Sequence, residues 1–297
     1  MDQISGMPEA KFYERIPGGS SVRCVLCPHF CTIPDGHAGR CRVRVNSGGV
    51  LRAASYGIVS SLALDPVEKK PLIDFFPGSF ILSAGSYGCN LSCRFCQNHA
   101  ISQIGVPDDP SSDQRYTPAE LVAAAKDCVP RGNIGLAFTY NEPFINWEFV
   151  HDTAVLARET SLKNVLVTNG FVNPGPLDEL LPFVDAMNID LKAFTDSFYR
   201  KICSGSLEPA LATIAASASR CHVEIATLVI PGHNSAPAEI SALAAWLSSV
   251  SPDIVLHLNR HHPDYRMREP APVSRDELSA LADIARRHLS HVRCGNV

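Results

Sequence analysis

The sequence predicts an α/β protein: a partial (β/α)6 TIM-like barrel carrying a small N-terminal four-cysteine metal-binding module. Strand-like and helix-like segments alternate regularly from about residue 80 to residue 289. Polar side chains recur where the predicted strands end. Seven of the eleven cysteines fall in two tight groups, at 24, 27, 31, 41 and at 89, 93, 96. Residues 1–60 form the predicted module and 61–297 the barrel, with a flat doubly wound sheet as the alternative arrangement of the same repeats.

Composition narrows the function classes. A chain of 297 residues, 45% hydrophobic and 19% charged, has ample core for one large domain and an appendage. The net charge of -4, with no block of like charges, argues against a nucleic-acid surface. No apolar run approaches the roughly 18 residues of a membrane span. Met1-Asp2-Gln3-Ile4-Ser5 has neither the basic nor the apolar region of a signal peptide. A cytoplasmic protein is therefore expected, and clustered cysteines there read as metal ligands rather than a disulfide framework. Cys128, Cys203, Cys221 and Cys294 stand singly and read as small buried hydrophobes.

In order, residues 1–20 read as a tail or peripheral strand. Cys24, Cys27, Cys31 and Cys41 follow at C-x2-C-x3-C-x9-C, with Gly36 and Gly39 letting the loop fold back. Four thiolates suit a structural zinc, the simplest reading, with an auxiliary 4Fe-4S cluster as the alternative. His29 and His37 are read as surface residues or neighbours of that metal. Residues 50–74 read as strand and loop, with Lys69-Lys70 as a solvated turn rather than a cationic lip. A strand over 80–83 leads into the second cysteine group. Thr117-Pro118-Ala119-Glu120 is a capping box that opens a helix. Strands over 135–140, 164–168, 186–191, 223–230 and 254–258 alternate with helices over 143–160 and 176–184. A further helix presents Leu211, Ile214, Ala215 and Ala218, and another Ile240, Leu243, Leu247 and Val250. Ser274 and Glu277 form a second capping box, before a helix burying Leu278, Leu281, Ala285 and Leu289.

The chemistry centres on Cys89, Cys93 and Cys96, at C-x3-C-x2-C with Phe95 before the last thiol. Zinc wants four protein ligands and a disulfide two thiols. Three thiolates on one loop suit a 4Fe-4S cluster with one iron left open, to which S-adenosylmethionine (SAM) can bind. In parallel α/β barrels functional groups gather at the C-terminal ends of strands. Here Glu142, Thr168, Asn169, Asp190, Lys192, Ile230 and the run 257–262 occupy such ends. Glu142 is placed to accept from the SAM amino group, Lys192 to neutralise its carboxylate and Asp190 to accept from ribose. Thr168 and Asn169 hold polar edges, and Ile230 covers the adenine. Residues 188, 190 and 192 share one side of a strand, so Asn188, Asp190 and Lys192 point into the barrel if Ile189 and Leu191 pack outward.

The three-Cys loop resembles the radical SAM superfamily signature. With Asn141-Glu142, Thr168-Asn169-Gly170, Asp190-x-Lys192 and Ile230-Pro231-Gly232 it resembles the pyruvate formate-lyase activating-enzyme branch. Pro71-Leu72-x-x-Phe75, Cys96-Gln97-Asn98, His262-Pro263-Asp264-Tyr265, Gly295-Asn296-Val297 and the N-terminal cysteines look closest to the radical SAM enzymes of the AmmeMemoRadiSam system. Two differences, Tyr140-Asn141-Glu142 in place of Gly-Gly-Glu and no cysteine over 97–127, bear on a glycyl-radical role and not on SAM cleavage. The resemblance implies an oxidoreductase that cleaves SAM to a 5′-deoxyadenosyl radical, which takes hydrogen from a protein glycyl residue or a small molecule. It implies an electron donor of flavodoxin or ferredoxin type, AMMECR-like and Memo-like partner proteins, and His261 near the adenine or substrate. The competing class is an electron carrier or metal-stabilised adaptor, which has no need of polar groups around the cluster mouth.

Overall fold

The computed structural model describes residues 6–107 and 114–297. Residues 1–5, read above for a targeting pattern, lie outside the described residues, as do 108–113. Strands β1 (Tyr13–Arg15), β2 (Val22–Cys24) and β3 (Thr32–Ile33) make a small antiparallel sheet. β4 (Arg44–Ser47) and β5 (Val50–Ala53) form a hairpin whose two-residue turn, Gly48-Gly49, has positive φ at both positions, as the twist of a tight hairpin requires. This segment is docked by a buried ion pair. Arg44, 1% exposed, donates to both oxygens of Glu148 at 3.0 and 3.1 Å, and also to the Lys11 carbonyl.

β6 (Ile58–Val59) leads into the main sheet, made of β7 (Ser61–Pro66), β8 (Phe80–Gly85) and, past the short β9 (Gln114–Arg115) that pairs with β6, of β10 (Asn133–Phe138), β11 (Lys163–Thr168), β12 (Ala186–Asp190), β13 (His222–Val229), β14 (Val255–Arg260) and β15 (Val292–Gly295). β7 is antiparallel to β8 and all the other pairs are parallel. From β8 to β15 each strand lies beside its predecessor, with no reversal of direction across the sheet. A doubly wound sheet needs such a reversal, so the sequential order corresponds to the wall of a partial barrel. Two strands join the six predicted ones at the edges. β7 is half-buried throughout and shows no alternation, and β15 is only Val-Arg-Cys-Gly.

The longer helices are α1 (Pro118–Asp127), α2 (Trp147–Glu159), α3 (Pro174–Leu180), α4 (Glu208–Ala218), α5 (Pro237–Val250) and α6 (Arg275–Ala285). Both predicted capping boxes form, at Thr117 with Glu120 and at Ser274 with Glu277. α4 buries Ile214 and packs Leu211 and Ala218 half-buried against the core, as predicted, but its most buried residues are Ala210, Thr213, Ile214 and Ser217, and Ala215 is exposed. The reason is close approach, since Thr213 Oγ1 donates to the Gly170 carbonyl at 2.8 Å. Only small side chains fit under that contact.

The lower barrel is plugged. Leu72 and Phe75 pack with Ile81, Ala137, Val165 and Ala186 from four strands. Lys70 belongs to the plug rather than to a solvated turn: it is 3% exposed and donates to Asp65 at 2.7 Å, with its ammonium 5.2 Å from the Tyr140 ring. Among the described residues no helix is long and apolar enough to cross a membrane.

Candidate active site

At the C-terminal ends of the strands lies a cavity of about 260 Å³, lined by Cys89, Cys93 and Cys96 and by the upper residues of β11 to β14. The loop after β8 carries the three thiols, and the backbone of other elements fixes its path. Ser92 N donates to Cys203 O at 2.8 Å and Arg94 N to Ile202 O at 3.0 Å. At Gly88, where φ is +81°, a Cβ would strike the Cys41 carbonyl. The two cysteine groups therefore abut, and only glycine lets the loop pass.

Asn141 is a staple for this loop. Its Oδ1 accepts from Ser86 N at 3.0 Å, and its Nδ2 donates to the Tyr87 and Gly88 carbonyls at 3.1 and 3.2 Å. Glu142, 2% exposed, accepts from Phe144 N, Thr168 Oγ1 and Asn169 N at 3.0, 2.7 and 2.8 Å. These contacts use three of a carboxylate's roughly four acceptor sites, so much of Glu142's capacity organises the Thr168–Asn169 turn. Burial pushes its carboxyl up to about 7 against the opposing pull of those donors. Asn169 in turn donates to Asn90 Oδ1 at 2.9 Å and to Cys89 Sγ at 3.5 Å.

Asp190 and Lys192 meet at 2.6 Å on the cavity wall. Burial lowers the Lys192 ammonium, but the charges of Asp190 and Cys93 outweigh it and hold the group above its usual value. The parallel register sets Val167, Ala226, Leu228 and Asn259 around the cavity with Asp190. Asn188 lies lower on the same side and donates to the Pro71 carbonyl at 2.8 Å, while Ile189 and Leu191 are fully buried in the main core cluster.

The thiols differ. Burial, then the charge of Glu142, raises Cys89 well above the usual thiol range, and burial raises Cys96, whose sulfur lies 3.1 Å from Ser102 Oγ. Cys93 is lowered, chiefly by a hydrogen bond from the Cys203 thiol. Cys203 is buried, as its isolation in the sequence suggests, but it touches a candidate ligand. It does not line the cavity.

Phe95 lies against Phe198, with ring centroids 6.1 Å apart, and lines the cavity. Ile230 does not line it. It is fully buried, in the cluster with Phe95, Phe171 and Phe198. His261 lies outside the cavity, in an adjoining recess. The wall also holds Tyr140, Ser102, Asn259 and Asn296, none of which was given a role from the sequence. Tyr140 and Asn259 fall within strand-end stretches singled out above and Asn296 within the terminal Gly295-Asn296-Val297, whereas Ser102 had no signal.

Cys24, Cys27, Cys31 and Cys41 line one small recess together with Arg44 and Ile145. Burial pushes Cys27 up to about 12 and Cys41 to about 11. Among the described residues no three His, Cys, Asp or Glu side chains are placed to hold a single metal ion.

The model of the radical SAM superfamily matches residues 84–244, more than half of the chain and including all three thiols of the barrel loop. An uncharacterized protein of Methanocaldococcus jannaschii, MJ0808, is 40% identical over 294 residues, covering 98% of this chain and 86% of that protein. Among solved structures, a radical SAM methyltransferase from Sphaerobacter thermophilus shares the fold at a TM-score of 0.56 and 19% identity, over 74% of this chain and 67% of that one. Streptococcus suis SuiB bound to S-adenosylmethionine does so at 0.54 and 11% identity, over 72% of this chain and 51% of SuiB, about half its length. The chain belongs to the radical SAM superfamily.

Proposed function

We propose that the protein is a radical SAM enzyme of the activating-enzyme-like branch, acting within an AmmeMemoRadiSam-type system. The observation that carries this reading is the convergence of the Cys89, Cys93 and Cys96 loop with Glu142, Thr168, Asn169, Asp190 and Lys192 on one cavity. The donor set fits a 4Fe-4S cluster. Each thiolate of such a cluster meets a different iron, so the three need not close on one point as ligands of a single ion do. Among the described residues no further cysteine and no histidine lines the cavity, so a cluster held there would have one iron open to SAM.

When bound, the cluster supplies the electron that cleaves SAM to methionine and a 5′-deoxyadenosyl radical. The chain's own residues orient the reactants and exclude water. Asn141 and the residues 202–203 hold the loop, and Glu142 fixes the turn that presents Thr168 and Asn169. Lys192 faces the SAM carboxylate, Asp190 the ribose, and Phe95 stands beside them. The hydrogen donor is a protein glycyl residue or a small molecule. A flavodoxin or ferredoxin supplies electrons, AMMECR-like and Memo-like proteins are partners, and the setting is cytoplasmic. Residues 1–60 act as a module whose Cys24, Cys27, Cys31 and Cys41 line one recess and would hold a second cluster, or zinc if the thiols draw in from the spacing they have here. Metal and sulfide analysis of a Cys24/Cys27 double variant separates the two.

The test is anaerobic reconstitution followed by dithionite and SAM. We expect 5′-deoxyadenosine; its absence from a protein with a loaded cluster returns the chain to electron transfer or an adaptor role.

A further inference from the structure

Beside the cavity, at the end of β14, lies a second recess of about 330 Å³ lined by Gln97, Arg260, His261, His262, Pro272 and Asn296. Gln97 and Asn296 belong to both walls, so the two spaces adjoin. Among the described residues no carboxylate side chain lines the recess. Arg260 gives its Nε to the Val273 carbonyl at 2.9 Å, and among the described residues it pairs with no acid.

His261 sets this recess apart. It is 1% exposed, and neither ring nitrogen has a hydrogen-bond partner. The Met267 backbone lies close enough to act on the ring as a weak hydrogen-bonding neighbour that favours its charged form, but outside the distance and angle of a formed hydrogen bond. The barrel's other well-buried histidine, His257, is matched to Glu224 at 2.5 Å. A buried polar group left unpaired destabilises the fold, so its retention points to a ligand that supplies the missing partner. The surrounding loop is held in place: Tyr265 stacks on His99 at 4.4 Å, and Arg266 N donates to Arg94 O at 3.0 Å.

We infer that this recess is the anionic subsite for the substrate, taking a carboxylate or phosphate of a small molecule whose reacting carbon lies over the adjoining cavity. This rests on the radical SAM reading of that cavity. Arg260 offers the flat fork of donors that matches either anion. His261 and the amides of Gln97 and Asn296 supply further donors, and His262 adds a ring at the rim. A glycyl residue within a protein backbone carries no charge to fill such a recess, which favours the small-molecule branch of the proposed activity.

The experiment titrates inorganic phosphate, and separately succinate, into the anaerobically prepared 297-residue chain and follows binding by calorimetry. Wild type is expected to bind at least one saturably, and the tighter of the two identifies the anion class. His261→Phe should weaken that binding by about tenfold or more, the loss of one hydrogen bond to a charged group. Its melting temperature should be no lower than wild type, because an apolar ring replaces an unpaired polar one. Arg260→Gln should weaken binding as strongly, with Arg260→Lys recovering part of it. Saturable binding of neither anion, or a His261→Phe variant that melts lower with binding intact, overturns the subsite. The titration needs no turnover, so the two readings fail separately. A chain that makes 5′-deoxyadenosine but binds neither anion loses only the subsite. One that binds an anion but makes no 5′-deoxyadenosine loses the activity on which the substrate role rests.

Discussion

Two buried titratable side chains, Glu224 at the lower end of the barrel interior and His261 at the upper end, are paired in opposite ways. At the lower end Glu224, fully buried, accepts four donors: Ile73 N at 3.0 Å, Asp74 N at 2.9 Å, His222 Nε2 at 2.9 Å and His257 Nε2 at 2.5 Å. Burial alone would raise its carboxyl, but these donors prevail and hold it at about 2. Every acceptor site is used, and the plug is latched to the wall. At the upper end three thiols, the Asp190–Lys192 pair and His261 surround open space, His261 with both nitrogens unpaired. A saturated buried network stabilises a fold; an unsaturated one beside a cavity awaits a ligand.

The strongest way to break this comparison is Cys93→Ala. It should abolish 5′-deoxyadenosine formation in reconstituted protein while shifting the thermal midpoint little, and retained SAM cleavage would sink the site assignment. Glu224→Ala should do the reverse, destabilising the chain by about 3–5 kcal/mol in denaturant titrations because it strands four donors. A loss under 1 kcal/mol (about fivefold) would mean the latch is ornamental.

Acid sharpens the same contrast. The folded-state pKa of Glu224 is depressed, so its contribution is fully present above the ordinary carboxylate value and is lost as pH falls towards about 2. That contribution is on the order of 3 kcal/mol, and the stability–pH curves of wild type and Glu224→Gln should converge over this window. Parallel curves would contradict the latch. Smaller again, Lys192→Met should weaken SAM binding by about tenfold, one charge-assisted contact, with little effect on folding. Unchanged SAM affinity would make Asp190–Lys192 a purely structural ion pair.

Much of the architecture was legible beforehand because its signals are local. The capping boxes at Thr117 and Ser274, the period of α5 and α6, and the alternation that sends Ile189 and Leu191 outward each lie within a few residues of chain. The C-x3-C-x2-C loop after a strand was equally plain. Neighbouring residues thus suffice for the repeating α/β units, the thiol loop and the radical SAM membership that the family match supports.

The rest depends on contacts between residues far apart in the chain. The edge strands β7 and β15, the Lys70–Asp65 pair beneath Tyr140, and the burial of Ile230 among Phe95, Phe171 and Phe198 are of this kind. So is the commitment of Asn141 to the cluster loop, which a strand-end position alone presents as a ligand contact. The shared recess cannot be read from either of its contributors: Gln97 and Asn296 meet there only because β8 and β15 belong to the same curved sheet. Local periodicity follows from backbone geometry and is written in adjacent residues, whereas which polar groups end up paired or waiting is settled only when distant strands close around a common interior.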